Sequence, residues 1–431
     1  MSTASIKVDH LARVEGHGNV HVVIEDGAVQ AVEMNVIEPA RLFESMVRGR
    51  TFSEIPYIAS RICGICSASH VVTDLLAIER VFGIEVSDRT HALRELLIYG
   101  SYLQNHATHL FVFAAPDFTG HASVFPLATE APELFNQALA LKALGNELCT
   151  KVGGRSVHPI TAVVGGFTNE ISRDEYLALA EKMEAMLPFA EQTVDLFNSF
   201  PVPDIETAGD MLAMVQEGYY PVCTSRDAQF VGTGETFDAD DHEAHVEEYA
   251  VPHSGALFAR SRLSRKPYMT ASLARINASW GQLGQRARLA AAKAGLRPPE
   301  RNPFRNNVAQ AVELVDALDR CAGIARRLAE GDSCFAGSSE PVPFTVRAGR
   351  ATGFTEAPRG VLFHDLELDK EGRVKHASIL TPTAQNVANL EGDMRVLAEK
   401  MVAEGAAEAD IRLRVEELVR AYDPCLSCSV H

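Results

Sequence analysis

The sequence lacks any long hydrophobic run. No stretch reaches the roughly 18 consecutive apolar residues that a membrane-spanning helix needs. The first ten residues are polar and mixed in charge, without the apolar core of a signal peptide. Because the chain shows neither a membrane span nor an export signal of its own, the sequence predicts a cytoplasmic protein.

Basic residues are scarce relative to acidic ones. There are 40 Lys and Arg against 57 Asp and Glu, which gives a formal charge of −17. A nucleic-acid binder needs a concentrated basic surface, so this balance argues against that class. The sequence also has no phosphate-binding Gly-rich loop and no dinucleotide fingerprint. What it does have is length and a 46% hydrophobic content, enough for a substantial core.

The hydrophobic pattern predicts a helix-dominated α+β chain. Alternating apolar residues at 20–24 and 32–36 flank an Asp-Gly turn and predict a hairpin. Helical stripes follow at 71–82, from 88 onward, from a capping box at Ser172 and Glu175 towards Pro188, at 304–322, and at 390–422 with a break near Gly405. We therefore expect one domain over residues 1–431, with a long-helix core, an N-terminal sheet over 1–40 and small peripheral sheets. The polar, acidic segment 201–267 is interpreted as a surface excursion.

A second predicted hairpin, within residues 354–386, brings polar groups together. Strands at 361–368 and 373–380 flank the turn 369–372, and pairing across it opposes residue numbers that sum to about 741. Arg359 then lies opposite Pro382 and beside Thr383. The pattern thus predicts a fixed cation and a hydroxyl at one open end.

Cysteine is not abundant, but four of the eight cysteines form two Cys-x-x-Cys pairs. Cys63 and Cys66 lie near the N-terminus, whereas Cys425 and Cys428 lie near the C-terminus; the other four stand alone and are expected to be ordinary thiols. Sulfurs at i and i+3 on a turn can bind one metal, so two pairs make a four-thiolate site plausible. A structural zinc site and a redox-active pair are the alternatives from the spacing alone. Structural zinc sites usually stabilise small domains that lack a hydrophobic core. This chain is large enough to form a core and does not need such a site.

Four motifs together resemble those of nickel–iron hydrogenase large subunits. They are Arg13-Val-Glu-Gly-His-Gly18, Arg61-Ile-Cys-Gly-Ile-Cys66 with His70, Glu356-Ala-Pro-Arg-Gly360, and Asp423-Pro-Cys-Leu-Ser-Cys428 with His431. They span residues 13 to 431 in the family's order. The short chain and its ending further resemble the cytoplasmic, bidirectional NAD(P)-linked and sulfhydrogenase group. A fold relative, the quinone-site subunit of respiratory complex I, lacks the cysteines and is the main rival.

The resemblance implies a hydrogenase with a nickel–iron centre whose iron carries cyanide and carbon monoxide. Cys63 and Cys425 would be terminal nickel ligands, and Cys66 and Cys428 would bridge both metals. In heterolytic cleavage of dihydrogen, Cys425 can accept the proton and Glu15 can receive it next. A surface ion pair at a strand end is the alternative for Glu15.

Further residues gain roles from the same resemblance. Arg359, Pro382 and Thr383 would surround the cyanide ligands, and Arg359 would also act in proton handling or electrostatics near the metal. A salt bridge at a strand end is the alternative for Arg359. Glu44, the backbone carbonyl near Ile379 and His431 would bind magnesium or another divalent ion.

The resemblance also implies partners. The sequence has no further cysteine cluster for an iron–sulfur centre, so electrons must leave through an iron–sulfur small subunit. The expected onward carriers are diaphorase-type subunits that bind flavin and NAD(P). In the family, a maturation protease removes a tail beyond the final histidine, so a chain that ends at His431 is expected to be the mature form. A chain encoded to end at His431 is the alternative.

Overall fold

The computed structural model describes residues 3–430, with side chains from residue 6 onward. Its strands are β1 (Thr3–Val8), β2 (Gly18–Glu25), β3 (Ala28–Val36), β4 (Ala162–Val163), β5 (Gly166–Phe167), β6 (Asp210–Val215), β7 (Asp227–Phe230), β8 (Thr236–Asp238), β9 (Val246–Tyr249), β10 (Phe258–Ser261), β11 (Tyr268–Met269), β12 (Gly349–Ala357), β13 (Gly360–Leu368) and β14 (Val374–Leu380). Its α-helices are α1 (Phe43–Val47), α2 (Ile55–Ala59), α3 (Ser67–Phe82), α4 (Asp88–Thr108), α5 (Ala115–Thr119), α6 (Leu127–Glu130), α7 (Pro132–Gly153), α8 (Arg173–Ser199), α9 (His242–His245), α10 (Ser272–Ser279), α11 (Gln285–Lys293), α12 (Asn306–Glu330), α13 (Pro382–Ala403) and α14 (Glu408–Ala421).

Long helices form the core. α12 packs against α8 along its length and against α4, and α4 packs against α7. Apolar residues of α12 at helical spacing, such as Val308, Val315 and Leu318, are almost fully buried. A helix enclosed on several sides is expected to be apolar over much of its circumference, which is what α12 shows.

The structure confirms the predicted capping box of α8 but not an end near Pro188. Ser172 accepts a hydrogen bond from the Glu175 N–H, and the Glu175 carboxylate accepts one from the Ser172 N–H. The helix then runs through Pro188 to Ser199. Proline removes one helical hydrogen bond, but Phe189 beyond it is buried and stacks on Phe111. Burial of an aromatic ring offsets that loss.

The N-terminal sheet has the order β1-β2-β3 and is antiparallel throughout. Val20 pairs with Met34 and Val22 with Val32, so the alternating apolar residues share one buried face. The hairpin predicted at the Asp-Gly turn is therefore confirmed. α13 covers this sheet at β3.

A second antiparallel sheet, of order β12-β13-β14, lies inside the molecule. Its central strand β13 is buried at nearly every position, because α3 covers one face and apolar side chains of residues 210–268 pack on the other. That packing includes Leu212, Met214 and Phe230 from the segment predicted to be a surface excursion. The segment is thus partly interior, since its short strands carry the apolar residues that cover this sheet.

The predicted register of this sheet was wrong by two residues. His364 pairs with Ile379, and their numbers sum to 743. The difference arises because β14 begins only at Val374 and an irregularity lies between Glu367 and Leu368. Arg359 lies instead in the tight turn between β12 and β13, where Ala357 pairs with Gly360.

None of the helices in the described part of the chain, residues 3–430, combines the length and the hydrophobicity that a membrane span requires.

Candidate metal centre

The two Cys-x-x-Cys pairs meet in the interior. The sulfurs of Cys63 and Cys425 lie 3.9 Å apart although the residues are 362 positions apart in sequence. The sulfurs of Cys63, Cys66 and Cys428 lie within 4.8 Å of one another. All four cysteines are at most 5% exposed. Within each pair the sulfurs are in disulfide contact, and reduction of both pairs presents four thiolates in one place.

The first pair lies at the start of α3. A short 3-10 helix, Ser60–Ile62, ends where Cys63 adopts an extended backbone conformation. Cys66 then occupies the N-cap of α3, and its N–H donates to the Cys63 sulfur at 3.0 Å. A backbone N–H and the positive end of a helix both favour thiolate over thiol.

The second pair follows α14. Asp423 has a positive φ of 50°, which turns the chain inward after the helix. Cys425 forms an isolated parallel bridge with Glu15, and the Leu426 N–H donates to the Glu15 carbonyl at 2.9 Å. A 3-10 helix, Leu426–Val430, carries Cys428 back towards the first pair.

Glu15 contacts the cysteine sulfur directly. Its Oε2 lies 3.0 Å from the Cys425 Sγ, and its Oε1 accepts the Ser427 hydroxyl at 2.5 Å. Next to it, Gly16 has a φ of 81°, and a side chain there would approach the Ser427 nitrogen to 2.7 Å. Glycine therefore allows this loop to lie against the second cysteine pair.

Arg359 is buried and faces Asp423. Its Nε donates to the Asp423 carbonyl at 2.6 Å and its Nη2 to the carboxylate at 2.9 Å. Burial alone would raise the pKa of Asp423, but the charge of Arg359 and hydrogen bonds such as that from Asn105 lower it overall. The Nη1 of Arg359 is buried without a hydrogen-bond partner among residues 3–430. A buried N–H without an acceptor is costly, so this donor suits a bound acceptor atom.

Thr383 and Pro382 lie at the start of α13 beside the second pair. The Thr383 hydroxyl oxygen accepts the Cys425 N–H at 3.0 Å, and Pro382 is the first residue of the helix. Asn386 also donates to the Arg359 carbonyl at 3.3 Å. The two predicted segments thus lie at one end of the sheet, despite the different register.

Arg41 holds both cysteine loops together, a role that the sequence analysis missed. Its guanidinium donates to the carbonyls of Arg61 and Ile62, each at 2.6 Å, and its N–H donates to the Val430 carbonyl at 2.7 Å. These acceptors are backbone atoms far away in sequence. No local pattern signals them, although Arg41 lies close to the predicted ligand Glu44.

The predicted cation site is partly described. Glu44 Oε1 accepts the Ile379 N–H at 2.8 Å, so these two residues are brought together. His431 lies outside the described residues. Glu248, which the sequence analysis did not single out, is close enough to Glu44 for its charge to matter: burial first, and the Glu44 carboxylate second, raise the pKa of Glu248 to about 7.

The donor set fits a soft metal. Four cysteine sulfurs from two distant loops lie together, and the charged groups beside them, Glu15 and Arg359, leave those sulfurs as the main ligands. Thiolates favour nickel, iron and zinc over hard cations. The Nη1 of Arg359 has no partner among the described residues and could donate to a polar ligand on the metal. A zinc ion with four cysteine ligands carries no such additional ligand.

Comparisons with known proteins agree with this donor set. A family model described as nickel-dependent hydrogenase matches residues 41–137 and 307–431. Sulfhydrogenase 1 subunit alpha of Pyrococcus furiosus is 34% identical over 99% of this chain and 97% of the relative. The subunit beta of the NAD-reducing hydrogenase HoxS of Cupriavidus necator is 26% identical over 98% and 94%. A crystal structure of an NAD+-reducing [NiFe]-hydrogenase in the H2-reduced state superposes with a TM-score of 0.87 at 26% identity, covering all of both chains.

Proposed function

The chain belongs to the nickel-dependent hydrogenase family, and we propose that Cys63, Cys66, Cys425 and Cys428 hold the nickel–iron centre at which it cleaves and forms dihydrogen. The observation that carries the proposal is the convergence of the two pairs, with 3.9 Å between the sulfurs of Cys63 and Cys425. A disulfide within either pair would not require the other pair to be near.

In this proposal Cys63 and Cys425 would hold the nickel, and Cys66 and Cys428 would hold both nickel and iron. The bound metals supply Lewis acidity that polarises dihydrogen. Cys425 receives a proton on its sulfur, and Glu15 Oε2, 3.0 Å away, is placed to take it. Ser427 fixes the carboxylate at 2.5 Å and so keeps it aligned with the sulfur.

Arg359, Thr383 and Pro382 form the wall on the iron side of the proposed centre. The Nη1 of Arg359 would donate to a cyanide ligand on the iron, while its other two nitrogens stay bound to Asp423. The Thr383 hydroxyl accepts from Cys425 N–H and retains its own hydrogen for donation. Pro382 is buried and would exclude water from this wall.

Glu44 is proposed as a ligand of a magnesium or similar ion, with the backbone near Ile379 and His431. The contact between Glu44 and the Ile379 N–H brings two of the three together. A divalent ion here also offsets the repulsion between Glu44 and Glu248 that contributes to the raised pKa of Glu248.

An iron–sulfur partner subunit is proposed to dock beside the first cysteine pair. Around that loop the surface exposes an apolar rim of Leu42, Met46, Tyr57, Val157 and Ile160, each between 37% and 59% exposed. His158 ties the rim to the loop, since its N–H donates to Ser67 Oγ at 2.8 Å and its Nδ1 contacts the Ser60 carbonyl at 3.0 Å. Exposed apolar surface of this kind is typical of protein interfaces.

Onward transfer to NAD(P) through flavin-binding subunits is proposed from the relatives. One is named as a NAD-reducing hydrogenase subunit, and both named relatives are single subunits, alpha or beta, of larger assemblies. Maturation by a C-terminal protease and a cytoplasmic location remain part of the proposal and rest on the sequence alone.

The test is hydrogen-dependent electron transfer by the purified complex. We expect the complex to exchange dihydrogen with deuterated water and to reduce NAD+ or NADP+ under hydrogen. Exchange without reduction of either nucleotide would support the hydrogenase activity but exclude NAD+ and NADP+ as the electron acceptors. Absence of exchange from protein with full nickel and iron content would contradict the proposed function.

A further inference from the structure

A buried chain of three polar side chains runs from helix α3 into the central sheet. The His70 Nδ1 lies 3.0 Å from the His364 Nε2, and the His364 Nδ1 lies 2.7 Å from the Asp74 Oδ1. All three residues are at most 1% exposed. His70 and His364 are 294 positions apart, so the contact is made by the fold.

This chain adjoins the first cysteine pair. Cys66, His70 and Asp74 follow one another at intervals of four residues and therefore occupy successive turns on one side of α3. His364 pairs across the sheet with Ile379, whose side chain packs in one cluster with all four cysteines. The chain thus connects the turn after Cys66 with the strand that borders the sulfurs.

The close contact between α3 and the sheet is built for this arrangement. Gly353 on β12 is the neighbour of His364 across the strands, and a side chain at Gly353 would collide with the Thr73 carbonyl of α3. The absence of that side chain lets α3 approach until His70 and Asp74 both reach His364.

We infer that Asp74 and His364 are positioning residues that fix the imidazole of His70 beside the metal centre. Both ring nitrogens of His364 are engaged, so its ring cannot turn without losing a hydrogen bond at each end. That rigidity passes to His70, because its Nδ1 is held by His364 at 3.0 Å. Hydrogen-bond partners of this kind set the orientation of groups around a metal and its electronic properties. The inference rests on the proposed nickel–iron centre.

The test is infrared spectroscopy of metal-loaded variants purified with their partner subunits. His364→Phe and Asp74→Ala each break the chain, whereas His364→Gln keeps a polar group able to reach one neighbour. We expect the cyanide and carbonyl bands to shift in His364→Phe and in Asp74→Ala. In the variant that carries both substitutions, the bands should shift by no more than in either single variant. In His364→Gln they should return towards the wild-type positions. Hydrogen–deuterium exchange should fall by about 10- to 100-fold in the two chain-breaking variants.

The matched control is Thr355→Val. Thr355 is equally buried on β12 and hydrogen-bonds Thr73 of α3 at 2.7 Å. Thr355 lies in the same interface between α3 and the sheet but does not belong to the hydrogen-bonded chain of His70, His364 and Asp74. The infrared bands of Thr355→Val should therefore overlay those of wild type.

Three outcomes decide the inference. Unshifted bands in His364→Phe and Asp74→Ala with nickel retained would overturn it, as would loss of the fold in all His364 and Asp74 variants while Thr355→Val stays folded. Loss of nickel from a variant that keeps the circular dichroism spectrum of wild type would support it. Absence of the bands from wild type itself would instead contradict the proposed function, so the two failures are distinguishable.

Discussion

At the scale of single residues, the proposed proton path depends on one carboxylate. Glu15 is half-buried, lies 3.0 Å from the Cys425 sulfur, and is held by Ser427 at 2.5 Å. The adjacent His17 points outward, with 75% of its side chain exposed, and contacts Glu38. Glu15 is therefore the group placed between the sulfur and the surface.

Replacing Glu15 by Gln should block proton release while leaving the centre intact. The amide keeps the shape of the side chain but cannot relay a proton. We expect wild-type nickel content and infrared bands, with hydrogen–deuterium exchange reduced by roughly 100-fold or more. The measurement is isotope exchange by mass spectrometry.

His17→Gln is the matched control, since His17 is only two residues away but exposed. Its exchange rate should stay within about twofold of wild type, because substitutions on the surface away from the site have little effect. Unchanged exchange in Glu15→Gln would remove Glu15 from the proton path.

Several residues of the site could be predicted because they belong to short motifs, but others could not. The four cysteines, Glu15 and Arg359 lie in recognisable sequence stretches, and the structure brings them together. Arg41 acts on backbone carbonyls of other loops. A contact to a backbone carbonyl does not require any particular side chain at the partner residue, so the sequence alone could not reveal it.

At the scale of elements, the contact between α3 and the central sheet determines where the first cysteine pair lies. Gly353 allows it, because any side chain there would meet the Thr73 carbonyl. By contrast, Gly323 on α12 has open space around it.

Gly353→Ala should therefore destabilise the protein, by about 1–3 kcal/mol, as overpacking typically does. Gly323→Ala should instead stabilise it by up to about 1 kcal/mol, because alanine is the better helix former. Urea unfolding of both variants measures the difference. Equal effects of the two substitutions would show that α3 does not approach the sheet as described.

Helix α4 offers a pH-dependent test. Burial raises the pKa of Glu95 to about 7, despite the hydrogen bond from Tyr219. The folded state then binds more protons than the unfolded state between about pH 4.5 and 7, so ionisation of Glu95 costs stability as the pH rises through that range.

Glu95→Gln removes this cost and keeps an oxygen for Tyr219. We expect the variant to gain stability relative to wild type between pH 5 and pH 8, by at most about 3 kcal/mol. The exposed Glu85→Gln serves as control and should change stability by less than about 0.5 kcal/mol at either pH. An equal effect of Glu95→Gln at both pH values would contradict a raised pKa.

Local signals predicted most elements well and their pairing less well. The capping box at Ser172 and the Asp-Gly hairpin each specify structure within a few residues, and both are present. The β13–β14 register failed because one irregularity beside Leu368 moves the whole pairing. The interior position of residues 210–230 depends on packing against distant strands, which composition does not show.

At the scale of the whole molecule, the proposed metal centre lies where segments from the two ends of the chain meet. The cysteine pairs belong to α3 and to the segment after α14, and they meet only in the folded state. Metal binding to such a site contributes to the stability of the fold.

Cys425→Ser should thus lose nickel and hydrogenase activity and lower the thermal midpoint of the loaded protein. The exposed Cys334→Ser is the control and should retain all three properties. Nickel analysis and calorimetry measure the effect. Full nickel occupancy and activity in Cys425→Ser would exclude this sulfur as a required ligand.

The central claim is that four cysteines from opposite ends of the chain hold a nickel–iron centre with cyanide and carbon monoxide on the iron. The most direct measurement is an infrared spectrum of the purified protein with its natural partners, combined with nickel, iron and zinc analysis. We expect sharp bands in the cyanide and carbonyl stretching regions with about one nickel per chain. Zinc in place of nickel, with no such bands in fully matured protein, would contradict the claim and leave the four cysteines as a structural site.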